Sequence, residues 1–225
     1  MAQPGEDGAV KMVLRLARLF LPIGWILAAA GYYGPWIAHK TAALTLTGSD
    51  MGEFVKFLPG VLDGSLQVMR QLFYLPPVAV ALSVSLLAGS RSLNYSRLLR
   101  LGAVVLSIVV SVQLLPPAWS PATLMTPEFR LQPIAIGVCW LALAGGRLLG
   151  RLPIRLTGLL SSALAGLAAA LSIWQSAVVK PAVDGVYGVA PAVGWGCVVC
   201  LAGLTVIACT GAALAIAGDK PKARN

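Results

Sequence analysis

Acidic side chains, histidine and charge of either sign are scarce in this chain. Eight Asp and Glu and one His stand among 225 residues, and charged residues make up only 11% of them. A water-soluble fold of this size has far more surface than so few charges can cover. The lone His39 rules out a haem held by two histidines and leaves a zinc site short of ligands. No glycine-rich phosphate loop and no zinc-protease helix occur. Asp, Glu, Lys and His are also missing from the middle of every long apolar stretch. Proton pumps, ion-coupled transporters and voltage sensors keep ionisable groups at that depth, so the sequence speaks against those classes.

What is present is hydrocarbon: 58% of the residues are hydrophobic. A spanning helix needs about 20 mostly apolar residues, and six stretches qualify, at about 13–33, 71–88, 98–115, 127–149, 156–178 and 192–217. They are continuous and rich in Leu and Ala, without the alternation of a membrane barrel. The expectation is an all-α integral membrane protein, a single polytopic domain over 1–225. Its six helices are arranged as three hairpins, each introduced by a pair of arginines. A signal peptide would also begin with basic residues before an apolar run, but "GYYGPW" prolongs the first stretch with aromatics suited to a membrane boundary.

The net charge of +9 could be taken for a nucleic-acid surface, but its distribution points to the bilayer. Twelve of the 17 basic residues fall in four groups: Lys11, Arg15 and Arg18; Arg91, Arg97 and Arg100; Arg147, Arg151 and Arg155; and Lys220, Lys222 and Arg224. These groups occupy the two termini and the second and fourth connections. The other five, Lys40, Lys56, Arg70, Arg130 and Lys180, share their connections with Asp50, Glu53, Asp63, Glu128 and Asp184. The positive-inside tendency therefore puts both termini in the cytoplasm of a bacterial inner membrane. It also makes the triplet "NYS" at 94–96 cytoplasmic and unmodified, although it matches a glycosylation acceptor.

Candidate functional residues gather on the other, outer side. In "HKTAALTLTGSDMGEFVKFLPG", residues 39–60, a weakly alternating segment runs into a short amphipathic helix. Asp50 is placed at its N-cap, with Glu53 three residues later reaching back to the free amide. Phe54, Phe57 and Leu58 form its apolar side. Aromatics cluster at the same side, including Trp36, Trp119, Tyr187 and Trp195, where a belt, an outer lid or a shallow mouth would all use them. The candidate outer-face binding residues are thus Trp36, His39, Asp50, Glu53, Trp119, Asp184, Tyr187 and Trp195. No cofactor or metal is called for.

Four cysteines remain, Cys139, Cys197, Cys200 and Cys209. "CVVC" has the spacing of a redox or metal pair. Inside an apolar helix, though, it reads as small buried hydrophobes. Small residues at Ser162, Gly166 and Ala170, and at Gly203 and Gly211, mark faces where helices can approach closely. The function expected is a non-catalytic polytopic subunit of a larger membrane complex, a transporter component whose partners are the bilayer and other membrane subunits or further copies of itself. A membrane enzyme using His39, Asp50 and Glu53, or a self-assembling pore, are the alternatives.

Overall fold

The computed structural model describes residues 4–39, 45–116, 119–188 and 190–218. Most of it is helix. Four helical segments among the described residues are long and apolar enough to cross a membrane: 8–33 within α1 (Pro4–Tyr33), 70–87, α9 (Ile154–Tyr187) and α10 (Trp195–Ala217). The segment 70–87 joins a 3-10 turn, Arg70–Tyr74, to α4 (Leu75–Leu87). Pro76 and Pro77 lie in the first turn of α4, where a missing N–H breaks no helical bond.

The other two apolar stretches form shorter helices than expected. α5 (Arg97–Val112) has 16 residues and α7 (Leu131–Ala144) has 14. Ser96 caps α5 by accepting the Leu99 N–H at 3.2 Å, and the helix unwinds ahead of "LLPP". Upstream of α7 the chain is held in turns by Thr126, whose carbonyl accepts the Phe129 and Arg130 N–H groups. Downstream, Gly145 and Gly146 separate α7 from the short α8 (Gly146–Leu149). Proline and glycine thus cut each run below the length that composition alone allowed.

α4 is the centre of the bundle and touches α1, α5, α7, α9 and α10. It is apolar all round, as a helix enclosed by others must be, and ten of its 13 residues are buried. Its polar exceptions are satisfied. Trp25 Nε1 donates to Ser83 Oγ at 2.9 Å, and Ser83 shares a 2.7 Å hydrogen bond with Ser161, so one buried chain ties α1, α4 and α9 together.

Pairing by sequence holds for α9 with α10, whereas α1 lies mainly along α10, the last helix. Glycine makes this possible. A Cβ at Gly31 would fall on the Cys200 backbone, and one at Gly203 on that of Ala28. On its opposite side α10 meets α9, where a Cβ at Gly158 would stand 2.7 Å from the Gly211 carbonyl oxygen. Gly203 and Gly211 therefore serve two different neighbours. Gly166 faces open space, so the expected small-residue face of α9 is used at Ser162, which abuts Gly211, and not at Gly166.

A small antiparallel sheet, ordered β2-β1-β3, covers the end of the bundle away from the arginine groups. β1 (Pro35–Ala38) follows α1 and pairs with β2 (Leu46–Thr47) through Pro35 with Thr47 and Ile37 with Leu46. On its other edge β1 pairs with β3 (Ala192–Val193), which leads into α10. The sheet thus stitches together the neighbouring ends of α1 and α10. Residues 40–44, in the alternating segment, and the basic residues at 220, 222 and 224 lie outside the described residues.

Candidate functional site

β2 delivers the chain into α2 (Gly48–Phe54), and the cap is one turn earlier than the sequence spacing indicated. Thr47, not Asp50, is the N-cap. Its hydroxyl accepts the Asp50 N–H at 3.3 Å, while Asp50 Oδ2 accepts the Thr47 N–H at 2.9 Å and hydroxyl at 2.7 Å. "TGSD" is therefore the capping box, with Asp50 the third residue of the helix. Glu53 is left out of the cap and serves another purpose.

Glu53 belongs to a four-membered ionic cluster. Its Oε2 lies 2.7 Å from Lys56 Nζ, and its Oε1 accepts from Tyr74 Oη at 2.9 Å and Arg70 Nη1 at 3.2 Å. Glu128, from the turns before α7, completes the ring: Oε1 accepts Lys56 Nζ at 2.8 Å and Arg70 Nη1 at 3.2 Å, and its backbone carbonyl accepts Arg70 Nη2. The Phe129 ring lies under both cations, 4.8 Å from the Arg70 guanidinium carbon and 5.2 Å from Lys56 Nζ. Arg70 is buried, and a buried guanidinium is tolerated only when paired and hydrogen-bonded on this scale.

The charges within the ring stabilise one another. Burial works against the Lys56 ammonium, but hydrogen bonds to Glu128 and Glu53 and their charges outweigh it and lift the group above its ordinary value. The hydrogen bond from Lys56 and the charges of Lys56 and Arg70 hold the Glu128 carboxyl below its ordinary value. The helix itself packs as an amphipathic element, though not with the whole face expected. Met51, Val55 and Leu58 are buried and Phe54 half-buried, but Phe57 is 69% exposed because the chain tightens into a 3-10 turn at Val55–Phe57.

Trp36 and Asp184 line a cleft of about 80 Å³ among β1, α2, α9 and β3, walled by Met51, Val179 and Val183. Trp36 is buried, donating to the Gly31 carbonyl at 3.2 Å and standing edge-on to Tyr32 and Phe73. At the rim Asp184 accepts Lys180 Nζ at 2.8 Å, one helical turn away. His39 and Tyr187 meet edge to face at 5.6 Å, and Tyr187 meets Phe54 at 6.4 Å. Trp119 and Trp195 are more than half exposed.

The eight candidate residues therefore do not form one constellation. Trp36, His39, Asp184 and Tyr187 gather at the sheet end of α9. Asp50 closes a helix cap, and Glu53 holds the ionic ring with Lys56, Arg70, Tyr74 and Glu128, four residues that sequence reading did not assign to the site. Among the described residues no group of three or more His, Cys, Asp or Glu comes together to hold a metal. All four cysteines are free thiols, with Cys139 and Cys200 buried. No protein-family model, curated protein or solved structure matches this chain. Any functional reading stands on the geometry.

Proposed function

We propose that the chain is a non-catalytic subunit of a larger assembly in a bacterial inner membrane, supplying spanning helices to a transporter whose energy source resides on another chain. In this reading it crosses six times, through α1, residues 70–87, α5, α7, α9 and α10, with both termini cytoplasmic. At 1.5 Å per residue the two short helices measure roughly 24 and 21 Å, and their flanking turns and local thinning of the bilayer make up the remaining depth.

One observation carries the reading. Asp50, Glu53, Glu128 and Asp184 are each bound by the chain's own cations, hydroxyls or amides. The contacts of Glu53 and Glu128 join the outer loops to one another, that of Asp50 caps a helix and that of Asp184 pairs within α9, structural work and not that of an acid–base pair. The flanks of α5 and α7 agree with an embedded role, since Leu98, Leu101, Ile134 and Leu141 are all well exposed on them. In lipid such faces are either solvated by acyl chains or covered by another subunit.

The test is the mass and activity of the particle extracted in mild detergent. A particle well above the 23.3 kDa of one chain, holding a second polypeptide in fixed ratio, is expected. A single-chain particle with a chemical activity lost in Glu53→Gln would replace this reading with the membrane-enzyme one.

A further inference from the structure

At the end of the bundle opposite the sheet, the structure opens a cleft of about 670 Å³ between the end of α4, the start of α5 and the α7–α8 corner. That volume lies within the roughly 300–1,000 Å³ typical of ligand-holding pockets. Its chemistry is divided. Arg91, Arg100, Arg147 and Arg151 stand around it, all exposed, while Val84, Ala88, Val104 and Leu143 supply apolar wall. The floor is rigid, because the α4 end and the corner touch backbone to backbone: a Cβ at Gly89 would lie 2.8 Å from the Gly146 carbonyl oxygen.

Among the described residues the four arginines have no acidic partner. No Asp or Glu occurs between Asp63 and Glu128 or between Glu128 and Asp184, the stretches that build the cleft. Among the described residues none of the four makes an ion pair. Arg100 is oriented nonetheless, since its Nε donates to the Tyr95 carbonyl at 3.0 Å, which fixes the plane of the guanidinium fork. Arginine forks bind phosphate oxygens in pairs, and basic pockets between spanning helices suit anionic headgroups.

We propose that this cleft holds an anionic glycerophospholipid, its phosphate among Arg91, Arg100, Arg147 and Arg151 and its glycerol and first acyl carbons against the Val84, Ala88, Val104 and Leu143 wall. The apolar wall favours a lipid over a free anion, because inorganic phosphate would leave that surface facing water and gain nothing from it. The site is independent of what the assembly transports.

The test uses the full chain in uncharged detergent with phosphatidylglycerol, phosphatidylcholine or inorganic phosphate, counting lipid retained per chain after gel filtration and following Tm. Phosphatidylglycerol should be retained and raise Tm, and the other two should do neither. The double variant Arg100→Gln/Arg147→Gln should lower retention roughly thirtyfold, whereas Arg97→Gln, outside the cleft on the first turn of α5, should leave it unchanged. Ala144→Trp, which keeps all four arginines, should also abolish retention by filling the space between them. Equal retention of phosphatidylcholine, equal stabilisation by inorganic phosphate, or an Arg97→Gln loss matching that of the double variant would each overturn the proposal.

Discussion

Lys56 and Glu128 stand 72 residues apart in the chain and 2.8 Å apart in space. The contact pins the segment between β2 and α4 to the turns ahead of α7, with Arg70 and Phe129 completing the junction. Because Lys56 and Glu128 are both partly exposed, one such pair stabilises only modestly, by roughly 0.2–1 kcal/mol. Its larger effect is on the loop. Glu128→Gln should leave the bundle folded while speeding amide hydrogen exchange across residues 48–57. Unchanged exchange there would show that β2 and the Thr47 cap hold the loop without the junction.

The same junction should give the segment it holds a pH dependence. Glu128 has a lowered value in the folded chain, so its contribution is complete above its ordinary value near 4.5 and fades as pH falls through the lowered one. Lys56 has a raised value, so its contribution is complete below its ordinary 10.5 and fades as pH rises through the raised one. Protection across residues 48–57, taken as the intrinsic amide exchange rate at each pH divided by the observed one, should therefore be highest from about pH 5 to 10 and fall beyond either limit. In Glu128→Gln the acid limb attributable to this residue should disappear. High salt should act in the same direction as removal of the pair, since exposed charges are screened.

Long apolar runs made α1, α9 and α10 readable from the sequence, and uneven arginine placement marked one end of the bundle. α5 and α7 are shorter than composition indicates, because a count of leucines does not weigh the "LLPP" that follows α5 or the turns that Thr126 and the Gly145–Gly146 pair impose around α7. The short helix α2 lies in the segment where the sequence places one, but "TGSD" and "DMGE" both satisfy capping spacing, and only the pairing of Leu46 and Thr47 with β1 selects the first. The ionic ring was not legible at all. Arg70 and Glu128 looked like charges that cancel within a loop, and nothing local signals that they meet Glu53 and Lys56. The arginine cleft shares this character: its charges were visible, its walls were not.

The cap offers a clean separation of the two roles considered for Asp50. Thr47→Ala removes the hydroxyl that accepts the Asp50 N–H and should cost about 1 kcal/mol, within the usual 0.5–2 for a lost cap. Asp50→Asn keeps an oxygen able to accept the Thr47 N–H and should cost less than half as much. Thermal melting in detergent checks both. An Asp50→Asn loss equal to that of Thr47→Ala would mean that the charge, and not the hydrogen bonds, secures this turn.

Two glycines of the helix bundle should respond to alanine in opposite directions. At Gly203 the new methyl would be driven onto the Ala28 backbone, and it is backbone rather than a flexible side chain that would have to yield. α1 and α10 must then separate, giving up contacts along their shared length that lipid cannot replace with a hydrophobic driving force. The expected cost is roughly 1–3 kcal/mol, as for other overpacked interiors. Gly166, midway along α9, has nothing within 4 Å of where its Cβ would lie. Alanine there should stabilise the helix by up to about 1 kcal/mol, through helix propensity alone. Melting temperatures of the two variants in the same detergent should therefore move apart, down for Gly203→Ala and up for Gly166→Ala. If Gly203→Ala melts with the unmodified chain, α1 and α10 are not in backbone contact. If Gly166→Ala falls instead, the small-residue face of α9 is occupied by a neighbouring subunit in the extracted particle.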